Sequence, residues 1–285
     1  MGAPGETPPP AVGPLVHRQG QPLPAFAGPA ELALEDGAIL RVDEGLPRDL
    51  PLGYHEVRPL DGRSPMRLVV APPRCHVPEG LRTWGWAVQL YALRSQGSWG
   101  IGDLADLREL GEWSAATLGA GALVLNPLHA ALPLVPQEPS PYFPSSRRYR
   151  NPLYLRVEEV PGAAEARVDV ERLAAQGRAL CAERRIDRDA AFRLKMAALE
   201  ALWARGAVGT AGLARYRARE GPGLEGFGTF CALAEAHGSG WRRWPAEHRH
   251  PASPAVARFA EARAGRVAFH AWLQWLLDEQ LARAG

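Results

Sequence analysis

The chain has 285 residues, 46% of them hydrophobic, with 33 basic and 31 acidic side chains and a formal net charge of +2. That length allows one large domain or two ordinary ones. The near balance of charge offers no field that would draw nucleic acid or a membrane surface, so neither is expected as a partner. Mean hydropathy is -0.20, and no apolar run approaches the roughly 20 residues of a membrane helix. A cytoplasmic location is the expectation.

Lys195 is the one lysine in the chain, and arginine supplies the other basic residues. Together with the high Ala, Gly and Pro content, this reads as a genomic bias rather than a binding device. Cys75, Cys181 and Cys231 are odd in number and contain no Cys-x-x-Cys, which argues against a disulfide framework. The opening Met1-Gly2-Ala3-Pro4 has neither a charged n-region nor an apolar h-region, so no signal peptide is expected.

Residues 1–23 are rich in Pro and Gly and are expected to be a flexible N-terminus. Residues 24–80 read as a small β-sandwich-like domain. Glu31-Leu32-Ala33-Leu34 alternates, Asp36-Gly37 turns, and Ile39-Leu40-Arg41-Val42 returns. Leu52 to Arg58 and Met66 to Val70 form a second pair across Asp61-Gly62. Pro72, Pro73 and Pro78 read as a linker.

Residues 81–160 change pattern. Trp84 to Leu93 is expected as a strand, Arg94 to Gly102 as a loop, and Asp103 to Leu118 as an amphipathic helix. Gly119-Ala120-Gly121 stops the helix, and Ala122 to Leu128 is the next strand. The whole is a βαβ unit with a right-handed connection. A proline-studded loop follows, from Gln137 to Ser146, and then Asn151-Pro152-Leu153-Tyr154-Leu155. Prolines around one tyrosine lower the entropy lost when it is held in a cleft. Residues 161–285 read as helix throughout, with segments at Val168–Ala182, Arg188–Ala204, Thr210–Arg219, Gly226–Ala236 and Ala255–Ala284.

Several motifs have a functional and a plainer reading. Gly100-Ile101-Gly102-Asp103-Leu104-Ala105 matches a dinucleotide fingerprint. The preceding loop is too long for it, and the second strand ends in Asn126-Pro127 rather than an acid. Asp103 as helix N-cap is the better reading, and a nicotinamide-dependent oxidoreductase is the weaker alternative. Arg185-Ile186-Asp187 resembles a nucleophile-bearing triplet, but a helix pattern follows, so Asp187 also reads as an N-cap. Glu158 and Glu159, if extended, point to opposite faces and cannot flank one bond. His129 sits just past the second strand, where it can line a pocket or serve as an ordinary loop residue. His248 and His250 lack an acid or cysteine cluster, so no metal is expected. Trp99 and Tyr142 are the aromatics best placed to stack on a sugar ring.

Three motifs in order carry a resemblance. They are Trp84-Gly85-Trp86-Ala87-Val88-Gln89-Leu90-Tyr91, Ser98-Trp99-Gly100-Ile101-Gly102-Asp103-Leu104-Ala105-Asp106-Leu107, and Asn126-Pro127-Leu128 with Ser140-Pro141-Tyr142 and Asn151-Pro152-Leu153-Tyr154. Ala191-Phe192-Arg193-Leu194-Lys195 and Phe269-His270-Ala271-Trp272-Leu273-Gln274-Trp275 extend it. From about residue 82 onward the chain resembles the amylomaltases, or 4-α-glucanotransferases. The resemblance implies a (β/α)₈ barrel that moves α-1,4-glucan segments between maltodextrins, starch or glycogen chains. It implies a retaining double displacement by two carboxyl groups, with no cofactor.

The family's carboxylate motifs are not found. The expected fold class is therefore α/β, with the N-terminal β-rich segment, two strands of an incomplete barrel and a helical subdomain. No catalytic residue is expected before Gly285; the acids are expected in a missing C-terminal half. Ser140 and Tyr142 are expected to touch substrate, Pro141 and Asn151 to shape the loop, and Trp99 to offer a stacking face. A non-catalytic glucan-binding fragment is the alternative from another class.

Overall fold

Alternating apolar positions in the first 80 residues produce strands. In the computed structural model, which describes residues 13–22, 26, 28–43, 45–206 and 210–285, these are β1 (Leu15–Arg18), β2 (Ala30–Ala33), β3 (Ile39–Val42), β4 (Gly53–Pro59) and β5 (Met66–Ala71). They form one sheet in the order β1-β5-β4-β2-β3. Every second residue turns inward, so Ala30, Leu32, Val57 and Leu68 are fully buried. The β2–β3 turn works because Gly37 takes a φ of 91° and Asp36 Oδ1 accepts the Ala38 N–H at 2.9 Å.

Two expectations change here. The two strand pairs belong to a single five-stranded sheet, not to a sandwich of two. The stretch expected to be flexible contains β1, which runs parallel to β5 with Leu15 opposite Leu68. The four residues of β1 hold too little periodicity to announce a strand. Residues 1–12, the most Pro-rich part of that stretch, lie outside the described residues.

The chain divides into two compact units, Met1–Arg82 and Thr83–Gly285. The second opens with β6 (Gly85–Val88), α1 (Leu104–Leu118) and β7 (Ala122–Leu125), and β6 and β7 pair in parallel from Gly85↔Ala122 to Val88↔Leu125. A Cβ at Gly85 would collide with the Ala122 carbonyl, so this close approach needs glycine. The strand expected to reach Leu93 stops at Val88. Residues Leu90–Ala92 wind into a 3-10 turn, and the side chain of Asn126 takes the Leu90 N–H at 2.7 Å. β8 (His129–Ala130) and β9 (Ser146–Arg150) then form an antiparallel hairpin. A two-residue strand has no period to read, so the hairpin was not expected.

The remaining elements are α2 (Arg167–Ala179), α3 (Arg188–Ala204), α4 (Thr210–Glu220), α5 (Pro222–His237), α6 (Pro254–Ala262) and α7 (Ala264–Ala284). The expected final helix is two, broken at Arg263, whose φ of -117° leaves the helical region. α7 packs on α5 and α1. Its Phe269, Trp272, Leu273, Leu276 and Leu277 are each at most 2% exposed. Burial of such a side chain contributes about 1.5–3 kcal/mol, which makes α7 the centre of the larger core.

Candidate functional site

The loop between β8 and β9 is tied down at its base. Gln137, 6% exposed, donates from Nε2 to the carbonyls of Leu132 (3.0 Å) and Leu134 (2.6 Å). Its backbone N–H goes to Asp189 Oδ1 at 2.7 Å. Ser145 Oγ donates to the Ala130 carbonyl at 2.9 Å on the return side. The tip is a turn in which Phe143 N–H bonds the Ser140 carbonyl at 3.2 Å. Pro141 takes the second position of that turn, where its fixed φ fits. Glu138 Oε1 accepts the Ser140 N–H at 3.0 Å, and Ser140 Oγ accepts the Tyr142 N–H at 3.3 Å.

Ser140 and Pro141 line a narrow cleft together with Tyr91, His129, Tyr154 and Arg188. Tyr142 is not among the residues lining it. It stands at the tip, 66% exposed, beside Phe143 at 75%. Phe143 borders the cleft, and each of these exposed rings on a braced loop can offer a stacking face. Phe143 was overlooked because sequence gives no direction to a side chain in a turn.

Asn151 also borders the cleft. Its Oδ1 accepts the Leu153 N–H at 3.0 Å and starts the 3-10 turn Pro152–Tyr154. Beyond the end of β9, where the Asn151 N–H bonds the Leu128 carbonyl at 2.9 Å, the chain to Arg156 is held largely by side chains. Gln274 of α7 pairs with both the N–H and the carbonyl of Arg150, at 2.9 and 2.8 Å. Gln280 does the same for Arg156, at 2.9 and 2.8 Å. Lys195 of α3 donates to the carbonyls of Leu153 and Leu155, at 2.7 and 2.8 Å. Sequence reasoning missed this frame. Its available signals were two glutamines on an apolar helix face and one lysine in a chain that otherwise uses arginine.

Lys195 also sits in a buried ionic group. Its Nζ lies 3.6 Å from Asp103 Oδ2. Arg156 bonds Asp103 at 2.8 Å and Asp106 at 2.7 Å. Ser95 and Ser98 hydroxyls donate to Asp106 at 2.6 and 2.8 Å. Burial pushes Asp103 above the usual carboxylate range, against the pull of Lys195 and Arg156. Burial pushes Lys195 below the usual amine range, against the pull of Asp103. Asp103 Oδ1 also accepts the N–H groups of Ala105 (3.0 Å) and Asp106 (3.3 Å). The N-terminus of α1 is thus already filled by a carboxylate, and a pyrophosphate has no place there. Gly100 (φ 74°) and Gly102, whose Cβ would strike the Leu90 carbonyl, serve loop packing instead.

Two further expectations are corrected. Trp99 is fully buried, with its Nε1 donating to Glu158 Oε1 at 2.9 Å, so its indole has no face to offer a sugar. Glu158 and Glu159 are not extended but lie in a 3-10 turn. Glu158 faces Trp99 and Arg178, while Glu159 is bound twice by Arg108, at 3.1 and 2.7 Å. Asp187 caps α3 through Ala190 N–H at 2.9 Å. Among the described residues no group of three or more His, Cys, Asp or Glu side chains is placed to hold a metal, and no helix is long and apolar enough to cross a membrane.

Comparison with known proteins places the chain. A family model described as 4-alpha-glucanotransferase matches residues 88–285. The 4-alpha-glucanotransferase of Mycobacterium tuberculosis is 49% identical over 256 residues, covering 84% of this chain and 35% of the relative. That of Haemophilus influenzae is 33% identical over 264 residues, covering 82% and 37%. Amylomaltase from Corynebacterium glutamicum superposes with a TM-score of 0.69 at 30% identity, covering 95% of this chain and 42% of that one. The chain therefore spans just over a third of the length of these curated relatives, and it belongs to the 4-alpha-glucanotransferase family.

Proposed function

We propose that this chain builds one wall of the glucan cleft of a 4-α-glucanotransferase acting on maltodextrins, starch or glycogen-derived glucans. The parallel β6–β7 pair with α1 reads as the opening of a (β/α)₈ barrel. On that reading the segment that follows β7, which includes the β8–β9 loop, corresponds to the βα-loops in which barrel folds carry their sites. The observation that carries this reading is the braced loop 131–145, which sets Ser140 and Phe143 on the wall of a cleft and Tyr142 open beside it. Ser140 keeps its hydroxyl proton for a sugar oxygen, and Tyr142 offers a ring to a pyranose face.

A retaining transfer needs two carboxyl groups about 5–5.5 Å apart. Glu138 is the one acid bordering the cleft, and it is engaged by the Ser140 N–H. Asp103 and Asp106 are locked to Arg156, and Glu159 is locked to Arg108. The reading therefore assigns the nucleophile and the acid to residues outside these 285.

Incubation of this chain with maltotriose, followed by chromatography, tests the assignment. Release of glucose with formation of longer chains would sink it, because the acids would then be present. Titration with maltoheptaose tests the wall. Binding that Tyr142→Ala weakens about tenfold, equivalent to about 1.4 kcal/mol, is the expected result, and the absence of binding would remove the reading. Binding without turnover is also what a non-catalytic glucan-binding fragment would give. The two separate when the chain is assayed joined to a family member's remaining barrel.

A further inference from the structure

A second concave site lies away from the loop. Between the middle of α5, the segment 241–251 and α6 is a cavity of about 390 Å³ lined by Phe230, Trp241, Trp244, His248, Arg249 and Val256, among others. Ligand pockets fall at about 300–1,000 Å³, with apolar walls and a few placed polar groups. No carboxylate lines this one.

Its polar groups share one character. Trp244 Nε1 is already spent on the Gly238 carbonyl at 2.8 Å. Thr229 donates its hydroxyl to the Glu225 carbonyl at 2.8 Å. Arg249 is steered by its Nε, which donates to the Trp244 carbonyl at 2.7 Å. Its two terminal nitrogens take no partner among the described residues. Trp241, 42% exposed, has an unengaged indole N–H, and the Arg242 guanidinium lies 4.5 Å from its ring centroid. His248 shares its Nδ1 with His237 Nε2 at 2.9 Å, which leaves its own Nε2 over.

The unspent groups are thus chiefly donors on cationic or indole nitrogens. Around them, Arg242, Arg243 and Arg249 stand against Glu247 alone within residues 241–250. A neutral sugar needs acceptors as well as donors for its hydroxyls, and this wall provides few. An acceptor-only head group fits the donors, and a flat apolar body fits the tryptophans and Phe230.

We propose that this pocket binds a small organic anion, a phosphate or carboxylate carried on a flat apolar ring. Arg249 holds the head group and Trp241 covers the ring. The site is independent of the glucan reading of the loop.

The probe is 1-naphthyl phosphate, titrated calorimetrically into the full 285-residue chain. Inorganic phosphate and 1-naphthol serve as the two half-ligands, and maltotriose as competitor. Saturable 1:1 binding is expected, with each half-ligand at least about tenfold weaker. Arg249→Gln and Trp241→Ala should each weaken it about tenfold or more, the first by removing charge-assisted hydrogen bonds to the head group and the second by removing the face that covers the ring. Both side chains are exposed, and circular dichroism checks that each variant is folded. Tyr142→Ala should leave the titration unchanged. Several results overturn the site: no saturable binding, affinity for 1-naphthol equal to that for the phosphate, displacement by maltotriose, or binding indifferent to both variants.

Discussion

The strands and the helices of the larger unit are finished to different degrees. In α7 a run of large side chains is sealed, with Trp272 and Leu277 at 0% exposure. In β6 and β7 the opposite holds. Trp86 is 40% exposed and Val124 is 66% exposed, although parallel strands are ordinarily covered on both faces. These two side chains lie on opposite faces of the pair: Trp86 turns towards α1, where its Nε1 donates to Ser114 Oγ at 3.1 Å, and Val124 stands open on the other face. The lesson is that the helices of this unit fold around α7 and the 150–156 segment, while the strand pair joins that core on one face only, through Leu123 and Leu125, and leaves the Val124 face open.

Substitutions can break or sharpen that contrast. Trp272→Ala should cost about 4 kcal/mol, as for other large buried aromatics, read from a urea melt. Val124→Ala should change stability by no more than about 0.5 kcal/mol. A comparable loss at both sites would show the strand pair to be as deeply packed as α7. Lys195→Met should cost about 3 kcal/mol, because it strands the Leu153 and Leu155 carbonyls and leaves buried charge uncompensated. It should also loosen the cleft wall, seen as faster amide exchange across residues 153–155.

Glu235 sharpens the helical side further. Burial works against its charge, yet His270 and two contacts from Arg266 outweigh burial and hold the carboxyl down to about 2. Its folded value is depressed below the ordinary 4.5, so the stabilisation is full above that pH and is lost as pH falls towards 2. Unfolding free energy should drop across that window. Glu235→Gln should be less stable at neutral pH and show a shallower acid slope. A wild-type melt that is flat across the window would rule this out. A smaller loss than at Lys195 is expected at the loop base. Gln137→Ala should cost about 1–2 kcal/mol through the bonds lost at Leu132 and Leu134, with a matching loss of glucan affinity.

What the sequence disclosed follows from which signals are local. Asp103 and Asp187 read as N-caps because an acid before an apolar-periodic run is a contiguous pattern, and both cap in the structure. The βαβ unit was legible from periods of two and 3.6. The Ser140–Phe143 turn could be located from its proline, but not the direction of its rings. Trp99 was misjudged because its ring packs against Gly177 and bonds Glu158, 59 positions away. The clasp of Gln274 and Gln280 on Arg150 and Arg156 spans 124 positions each, and no local pattern reports such a contact. β1 was missed because its partner β5 lies more than 50 residues on.

The solitary, fully enclosed lysine has a practical corollary. A protease specific for lysyl bonds finds one site in all 285 residues, in the middle of α3 and shut inside the protein. The native chain should resist it. Each time α3 opens, one cut would yield pieces of residues 1–195 and 196–285, so the appearance of two bands on a gel becomes a clock for the opening of this core.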